Sequence, residues 1–254
     1  MARLSIALIF RDEAHNLPAW LRAARQCADE IVALDSGSQD NGPDILRAAG
    51  ARVEYQPFLG YGPQRNKAAS LCSGDWILSL DADERPDQEL IATLNNLKSQ
   101  APAAIMGYEL EYKVFFFGRF LRHGGFFPER HLRLARNGQG FWPERAVHEK
   151  LEVTGPCQVL KGGYVEHYSY HTIGDYLKKM DVYSAQAARH MLEAGKKSSP
   201  VKAVSHGTFT FLQRYFLRLG FLDGFAGYLA ARLEGIYTLT KYTRLLEQQK
   251  RSEE

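Results

Sequence analysis

The sequence predicts an α/β protein with a mixed sheet, parallel in its first half, followed by a C-terminal helical region. In the first hundred residues, continuously apolar runs alternate with amphipathic segments, which favours a parallel sheet covered by helices on both faces. Between Met106 and His167 the runs are shorter and rich in aromatic residues and glycine, which indicates an antiparallel extension. From Ile173 onward the pattern is helical, with breaks at 195–200 and 220–227.

The individual elements follow from the apolar runs and from the polar, glycine and proline clusters between them. Strands are expected at 4–10, 30–35, 52–55 and 76–80, and helices at 16–26, 42–49, 62–72 and from about Pro86. The antiparallel strands are expected at 108–117, 131–136 and 159–167. Acidic residues follow the carboxyl ends of the parallel strands, where such sheets bind nucleotides.

The composition is that of one large globular domain. With 254 residues and 45% hydrophobic content, the chain can bury a full core. The three cysteines are far apart and lack metal-binding spacing, so we expect reduced thiols in a cytoplasmic protein. The N-terminus has no signal-peptide organisation, and no apolar stretch approaches about eighteen residues, so we expect neither secretion nor a spanning helix.

Charge is distributed unevenly along the chain. Residues 1–100 hold ten Lys and Arg against fourteen Asp and Glu, whereas residues 101–254 hold twenty-two against fifteen. An acidic half that binds phosphates needs a cation to bridge like charges. The basic half indicates an anionic partner, either a phosphorylated sugar or an anionic membrane surface. No recognised nucleic-acid motif is present, so a nucleic-acid partner is not expected.

The most informative motif is Asp81-Ala82-Asp83, which follows an apolar strand-like run. Mg²⁺ or Mn²⁺ is commonly held by one or two carboxylates together with substrate phosphates, so the pair predicts a metal and nucleotide-diphosphate site. The alternative interpretation is that Asp81, Asp83 and Asp87 only cap turns and the helix that follows.

Another polar loop, Asp35-Ser36-Gly37-Ser38-Gln39-Asp40, comes at the end of the second predicted strand. Its small residues allow a ligand to approach the backbone closely, and Asp35 could accept a hydrogen bond from a uracil or a ribose. An Asx turn leading into the next helix is the alternative role for Asp35.

Taken in order, these segments resemble the inverting family 2 glycosyltransferases of the GT-A fold. The matching residues are Asp12 and Glu13, the loop 35–40, Gln64-Arg65-Asn66-Lys67, and Leu80 to Glu84. The resemblance implies that Glu13 and Asp35 contact the base and ribose, that Asp81 contacts the ribose or sugar, and that Asp83 binds the metal. Arg65 would lie near the phosphates or the sugar, and a surface ion pair is its alternative role.

The second half resembles a narrower branch, the lipopolysaccharide core glucosyltransferases that add a β-linked glucose to an inner-core heptose. The matching stretches are 141–143, 147–149, 166–168 and 176–179, with Tyr183. The resemblance implies a UDP-sugar donor and a catalytic domain at 1–195, with a nucleotide-sugar half at 1–100 and an acceptor half at 101–195. Residues 196–254 would form a separate basic, amphipathic helical region.

Inverting transfer requires a base that deprotonates the acceptor hydroxyl, and a carboxylate can serve. Glu149 is the candidate, and His148 would orient it or bind the acceptor; a charge pattern on a strand edge is the alternative for both. His167 is a candidate additional metal ligand or phosphate contact, although an ordinary buried histidine is an alternative. A zinc site formed by His167 and His171 is not expected. The two residues would share a face only on a helix, and the sequence offers no third zinc ligand near them.

Basic and aromatic residues mix in the segment 115–123 and just beyond it. Arginine forks against phosphates and aromatic faces against sugars would suit an anionic glycolipid, so Arg119, Arg122 and Arg130 are the candidate acceptor-binding residues. The alternative places the phenylalanines in the core and the arginines in solvent.

Residues 196–251 contain ten Lys and Arg and three Asp and Glu, interleaved with aromatic residues and leucines. This composition is typical of helices in a membrane interface, and a helical cap packed on the sheet is the alternative. The combined expectation is a cytoplasmic enzyme, peripheral on the inner face of the bacterial inner membrane, that transfers glucose from UDP-glucose to an inner-core sugar of lipopolysaccharide. The rival hypotheses are a polyprenyl-phosphate or other polysaccharide glycosyltransferase and a non-catalytic glycan- or membrane-binding module.

Overall fold

The computed structural model describes residues 1–100, 102–144, 150–170 and 172–253. The strands are β1 Leu4–Phe10, β2 Glu30–Asp35, β3 Arg52–Tyr55, β4 Trp76–Ser79, β5 Glu84–Pro86, β6 Gly107–Phe116, β7 Arg119–Phe120, β8 Glu129–Arg136, β9 Gly140–Phe141, β10 Glu152–Val153 and β11 Cys157–His167. The α-helices are α1 Leu17–Ala24, α2 Gly42–Ala48, α3 Tyr61–Ser70, α4 Gln88–Gln100, α5 Ile173–Glu193, α6 Pro200–Leu212 and α7 Gly224–Glu253. A π-helical turn, Gln213–Leu217, and a 3₁₀ turn, Gly220–Asp223, lie between α6 and α7.

The main sheet has the strand order β3-β2-β1-β4-β8-β6-β11-β5. The first four strands are parallel to one another, whereas β8 pairs antiparallel with both β4 and β6. β5 pairs antiparallel with β11, which places His167 opposite Glu84. The predicted fold class, a mixed sheet with a parallel half, an antiparallel extension and a C-terminal helical region, is therefore confirmed.

The parallel strands are apolar throughout because helices cover both faces of the sheet. Ile6 and Leu8 of β1, Leu34 of β2 and Leu78 of β4 have no exposed surface. Trp20 of α1 is equally buried in this core. The covered core fixes the strands, and the polar residues that follow them are consequently held at one edge of the sheet.

The chain divides into two compact units. The first comprises Met1–Tyr112 and Glu129–His167, and it contains the sheet described above. The second comprises Lys113–Pro128 and Tyr168–Glu254, that is, the β6–β7 hairpin tip and helices α5 to α7. The predicted boundary between 195 and 196 remains a prediction.

In the second unit, capping residues set where the helices begin. Thr172 forms a reciprocal capping box with Asp175 at the start of α5, and the Ser199 hydroxyl accepts from the Lys202 N–H at the start of α6. α6 and α7 pack closely through two glycines. A Cβ on Gly207 would lie 3.0 Å from the Gly235 carbonyl oxygen.

Several predicted boundaries differ from the structure by a few residues, and two of them concern the helical segments. The helix expected from Pro86 begins at Gln88, because Pro86 belongs to β5 and Asp87 Oδ1 accepts the Leu90 N–H at 2.9 Å as a cap. The break expected at 220–227 lies earlier, over 213–223, and α7 begins at Gly224. Within the described residues, no helix is both long and apolar enough to cross a membrane.

Candidate active site

The loops after the parallel strands meet at one edge of the sheet. Phe10 at the end of β1 is in register with Asp35 at the end of β2, and Ala7 of β1 is in register with Ser79 of β4. The loops beginning at residues 11, 36 and 80 therefore leave the sheet side by side. This edge is where open parallel sheets bind their ligands.

The first two loops are joined by hydrogen bonds. The Asp12 N–H donates to Ser38 Oγ at 3.0 Å, and Asp12 Oδ1 accepts the Gln39 N–H at 2.7 Å. The Ala14 N–H donates to Asp40 Oδ2 at 2.8 Å. Asp12 has a positive φ of 56°, so its backbone is held in an uncommon conformation by these partners. Asp12, for which no role was predicted, therefore joins the loop of Glu13 to the loop of Asp35, and both of these are candidate donor-binding residues.

The Asx turn that was the alternative role for Asp35 is present in the structure. Its Oδ1 accepts hydrogen bonds from the Gly37 N–H at 3.2 Å and from the N–H and hydroxyl of Ser38 at 2.9 and 2.7 Å, which is the Asx turn. In the part of the chain that the structure describes, these hydrogen bonds all end on Oδ1. Glu13, the other candidate, accepts from Asn16 Nδ2 at 2.8 Å.

Asp81 is held by two arginines from different elements. Arg65 Nη2 of α3 donates to Oδ1 and Oδ2 of Asp81 at 2.8 and 2.9 Å. Arg133 Nη2 of β8 lies 3.5 Å from Asp81 Oδ2 and 3.2 Å from Oε1 of the buried Glu84. Glu84 Oε2 in turn accepts the Asp81 N–H at 3.0 Å. Arg65 and Asp81, both predicted as donor-site residues, are thus in direct contact, and Arg65 is not in a surface ion pair.

The charges of this cluster shift the pKa values of its acids in opposite directions. Burial alone would raise the pKa of Asp81, but Arg65 and Arg133 outweigh it and lower the pKa to about 2. Burial raises the pKa of Glu84, and Arg133 only partly offsets it. Asp81 is consequently an anion that two guanidinium groups neutralise.

Asp83 and His167 form the second contact in this region. His167 Nε2 lies 3.5 Å from Asp83 Oδ2, and both side chains are partly exposed. Burial would lower the pKa of His167, but the hydrogen bond with Asp83 and the charges of Glu84 and Asp81 outweigh it and raise the pKa. His167 ends a strand, so the helical pairing considered for His167 and His171 is wrong; His171 itself lies outside the described residues.

The donor atoms of Asp83 and His167 fit a cation that shares its ligands with a substrate. The described residues contain no group of three or more His, Cys, Asp or Glu side chains arranged to hold a metal ion. A Mg²⁺ or Mn²⁺ ion bound together with substrate phosphates commonly has only one or two protein ligands, and phosphate oxygens and water complete its coordination shell. Asp83 with His167 matches that pattern, whereas Asp81 has both oxygens on Arg65.

Trp142, for which no role was predicted, lies beside both arginines. The guanidinium carbon of Arg65 lies 4.6 Å from the centroid of the Trp142 ring, and that of Arg133 lies 5.4 Å away. Asn66 of α3 holds the Trp142 backbone twice, accepting its N–H at 2.9 Å and donating to its carbonyl at 2.7 Å. Both residues lie in stretches that carry the family resemblance, 64–67 and 141–143, but no local pattern in the sequence predicts that they are in contact.

The remaining candidates belong to different parts of the chain. Arg130 pairs with Glu111 at 2.7 Å in the first unit. Arg119 and Arg122 belong to the second unit, where Arg119 Nη1 donates to the Asp223 carbonyl at 3.1 Å and the Arg122 N–H donates to Asp223 Oδ2 at 2.8 Å. Glu149 and His148 lie outside the described residues. The roles of all these candidates remain predictions.

The fold is of the GT-A class, and comparison with known proteins gives the family to which the chain belongs. Residues 5–154 match the family model for glycosyl transferase family 2, so the chain belongs to that family. A mannosyltransferase from Pyrobaculum calidifontis, solved with GDP-Man and Mn²⁺, shares the fold with a TM-score of 0.54. The alignment covers 98% of this chain and 88% of that one, at 13% identity.

Two sequence relatives extend over nearly the whole chain. An uncharacterized glycosyltransferase, RP128 of Rickettsia prowazekii (strain Madrid E), is 28% identical over 96% of this chain and 86% of its own length. The lipopolysaccharide core biosynthesis glycosyltransferase LpsC of Rhizobium meliloti (strain 1021) is 28% identical over 96% of this chain and 92% of its own length. The protein is therefore a glycosyltransferase that resembles lipopolysaccharide core enzymes.

Proposed function

We propose that this glycosyltransferase moves glucose from UDP-glucose onto an inner-core sugar of lipopolysaccharide or lipooligosaccharide, with inversion. The arrangement of Asp81 and Asp83 beyond β4, with Arg65 on one carboxylate and His167 on the other, is the observation that carries the proposal. The name of the Rhizobium relative supports the choice of acceptor class.

In the proposed donor complex, Asp35 Oδ2 and Glu13 hold the ribose and the base. Ser36 is positioned by the buried Gln64, whose Nε2 donates to Ser36 Oγ at 3.0 Å. Arg65 holds Asp81 against the ribose or sugar. These contacts would fix the nucleotide at the carboxyl edge of the sheet and orient its diphosphate toward Asp83.

Asp83 and His167 would hold Mg²⁺ or Mn²⁺, which when bound supplies positive charge to the departing diphosphate. In the proposal, Glu149 takes the proton from the acceptor hydroxyl, and His148 orients it. Trp142 stands seven residues before Glu149 in the sequence, and its backbone is held by Asn66. Arg119, Arg122 and Arg130 are proposed to bind the anionic groups of the glycolipid acceptor.

Release of UDP from UDP-glucose, measured with Mn²⁺ and an inner-core lipopolysaccharide acceptor, tests the proposal. We expect Asp83→Ala to abolish metal-dependent release. We expect Glu149→Ala to lower kcat at least about a hundredfold, because it removes a general base, while UDP with Mn²⁺ still raises the thermal stability of the variant. Asp44→Ala, which removes an exposed carboxylate of α2, is the matched control and should transfer at the wild-type rate.

Each part of the proposal would be contradicted by a different result. Retained transfer by Glu149→Ala would mean that another residue is the base, and retained metal-dependent release by Asp83→Ala would remove the metal assignment. A wild-type protein that no nucleotide stabilises would favour a non-catalytic glycan- or membrane-binding module. Transfer to a polyprenyl phosphate, but not to lipopolysaccharide, would favour the other acceptor class.

A further inference from the structure

Exposed apolar side chains form a continuous patch on the second unit. We define the apolar patch as Phe117, Phe216, Leu217, Leu219, Phe221 and Phe225. Its rings are connected: the centroids of Phe117 and Phe225 are 5.5 Å apart, and Tyr228 and Tyr215 link Phe225 to Phe216 and Phe221 with centroid separations of 5.0 to 6.2 Å. Contiguous apolar surface of this kind marks an interaction site, whereas single exposed apolar residues do not.

The patch does not contribute to the core of its unit. Leu217 is 73% exposed, Phe225 63% and Phe117 52%. The buried cluster of the same unit is made of other residues, among them Phe116, Leu121 and Tyr176. The exposed side chains therefore gain little from folding and remain available to an external apolar phase.

Two residues of the patch hold unfavourable backbone conformations. Phe117 has a φ of 47° and Leu219 a φ of 58°, in the left-handed region that bulky residues rarely adopt. Each such residue costs about 1 kcal/mol or more, and side chains that are about half exposed gain only part of the packing that would compensate. Strain that projects a phenylalanine and a leucine into solvent is consistent with selection for a surface role.

The two segments that carry the patch are held together by a buried acid. Asp223 Oδ2 accepts the N–H groups of Arg122 and His123 at 2.8 and 2.7 Å. These bonds join the segment after β7 to the 3₁₀ turn before α7. The turn that carries Phe117 is thereby fixed beside Phe225.

The segments that carry the patch are basic. Residues 113–128 and 213–228 contain five Lys and Arg and a single acidic residue, Asp223, whose side chain is only 2% exposed. One of the five, Arg214, pairs with Glu234 of α7 at 3.0 Å. Arg218 stands between Leu217 and Leu219 and is itself exposed. Apolar residues interleaved with cations are complementary to an anionic membrane, in which acyl chains lie beneath negatively charged headgroups.

From this combination we propose that the apolar patch inserts into the headgroup region of an anionic membrane, with the neighbouring arginines and lysines at the phosphates. Two copies of the chain facing each other through this patch would bring together ten cations and two buried acids from the segments that carry it, which disfavours a dimer. The inference uses only the second unit and does not depend on the proposed transfer reaction.

Vesicle flotation of the full-length protein tests the proposal without any donor or acceptor. We expect binding to vesicles made of equal parts phosphatidylcholine and phosphatidylglycerol, and weak or no binding to phosphatidylcholine alone. The double variant Leu217→Ser/Phe225→Ser should bind the anionic vesicles at least about tenfold more weakly, because two large apolar side chains no longer enter the membrane.

The matched control is Phe58→Ser/Leu59→Ser, which removes two exposed apolar side chains from the first unit. It should bind like the wild type, and all the proteins should share one urea unfolding midpoint. Equal binding by the patch variant, absence of binding by the wild type, or an equal loss in the control would overturn the proposal. A wild-type dimer that the patch variant dissociates, without vesicle binding, would assign the patch to a second copy of the chain instead.

Discussion

At the scale of single residues, Arg133 is the cation of the described site whose charge most needs compensation by neighbouring groups. It is almost fully buried and lies against two carboxylates, one of which, Glu84, is also buried. A buried charge without a partner is far more costly than an exposed one, so the arginine stabilises the cluster mainly by compensating these acids. Arg130, three residues earlier in the same strand, makes an ion pair with Glu111 but is about half exposed.

This contrast predicts different costs for two identical substitutions. Arg133→Met should lower the free energy of unfolding by about 3–5 kcal/mol, because it leaves the buried Glu84 without its cationic partner, whereas Asp81 keeps Arg65. Arg130→Met should cost less than about 1 kcal/mol, since exposed ion pairs contribute little. Urea unfolding of the two variants measures the difference. Equal midpoints would show that Arg133 does not compensate the buried acids.

At the scale of elements, α3 is unusual because it turns polar residues inward. Its buried positions are Gly62, Gln64 and Ala68, and its Arg65 and Asn66 contact Asp81 and Trp142. A helix whose inner face is polar contributes little apolar burial, so its placement depends on hydrogen bonds and on a close approach. That approach occurs at Gly62, where a Cβ would lie 2.7 Å from the Pro143 carbonyl oxygen.

Gly62→Ala should therefore move α3 away from the segment at Trp142 and Pro143. We expect a loss of about 1–3 kcal/mol in the free energy of unfolding, the range for an overpacked site, together with weaker UDP binding. Gly174→Ala is the control, because Gly174 also occupies the second position of a helix but its Cβ would meet nothing closer than 3.4 Å. That variant should be within about 1 kcal/mol of the wild type.

The elements also show what the sequence can predict. Strands and the polar residues at their ends, such as Asp35, Asp81 and Asp83, were predictable because apolar runs and the residues that follow them are local features. The contact of Arg133 with Glu84 spans 49 residues and depends on the pairing of β8 with β4. Asn66 and Trp142 are 76 residues apart. Such contacts depend on sheet order, which no local pattern specifies.

At the scale of the whole molecule, charge separates between the two units more sharply than between the two sequence halves. The first unit carries a formal charge of −5 and the second +8. The division follows the fold because the hairpin segment 113–128 contributes three cations to the second unit, although it lies within the chain between strands of the first. Each unit thus has the charge that its proposed ligand requires, a cation for one and an anionic surface for the other.

The chemical reactivity of the three cysteines can be used to test whether the core of the molecule is closed. Burial raises the pKa of Cys27 and of Cys72 to about 12, whereas Cys157 is exposed. Near neutral pH we expect one thiol per chain, Cys157, to react with a thiol-specific disulfide reagent, because the other two are both inaccessible and protonated. All three should react in denaturant. Rapid reaction of a second thiol in the native protein would show that the core opens.

The hydrogen bonds between the first two loops have a thermodynamic consequence for ligand binding. Asp12, Ser38, Gln39 and Asp40 are already ordered against one another in the folded chain. Ordering a loop when a ligand arrives costs conformational entropy, and a surface that is ordered in advance avoids this loss. These loops would therefore not need to rearrange when a nucleotide binds at this edge. The affinity of the nucleotide would then depend on the contacts it makes with the loops.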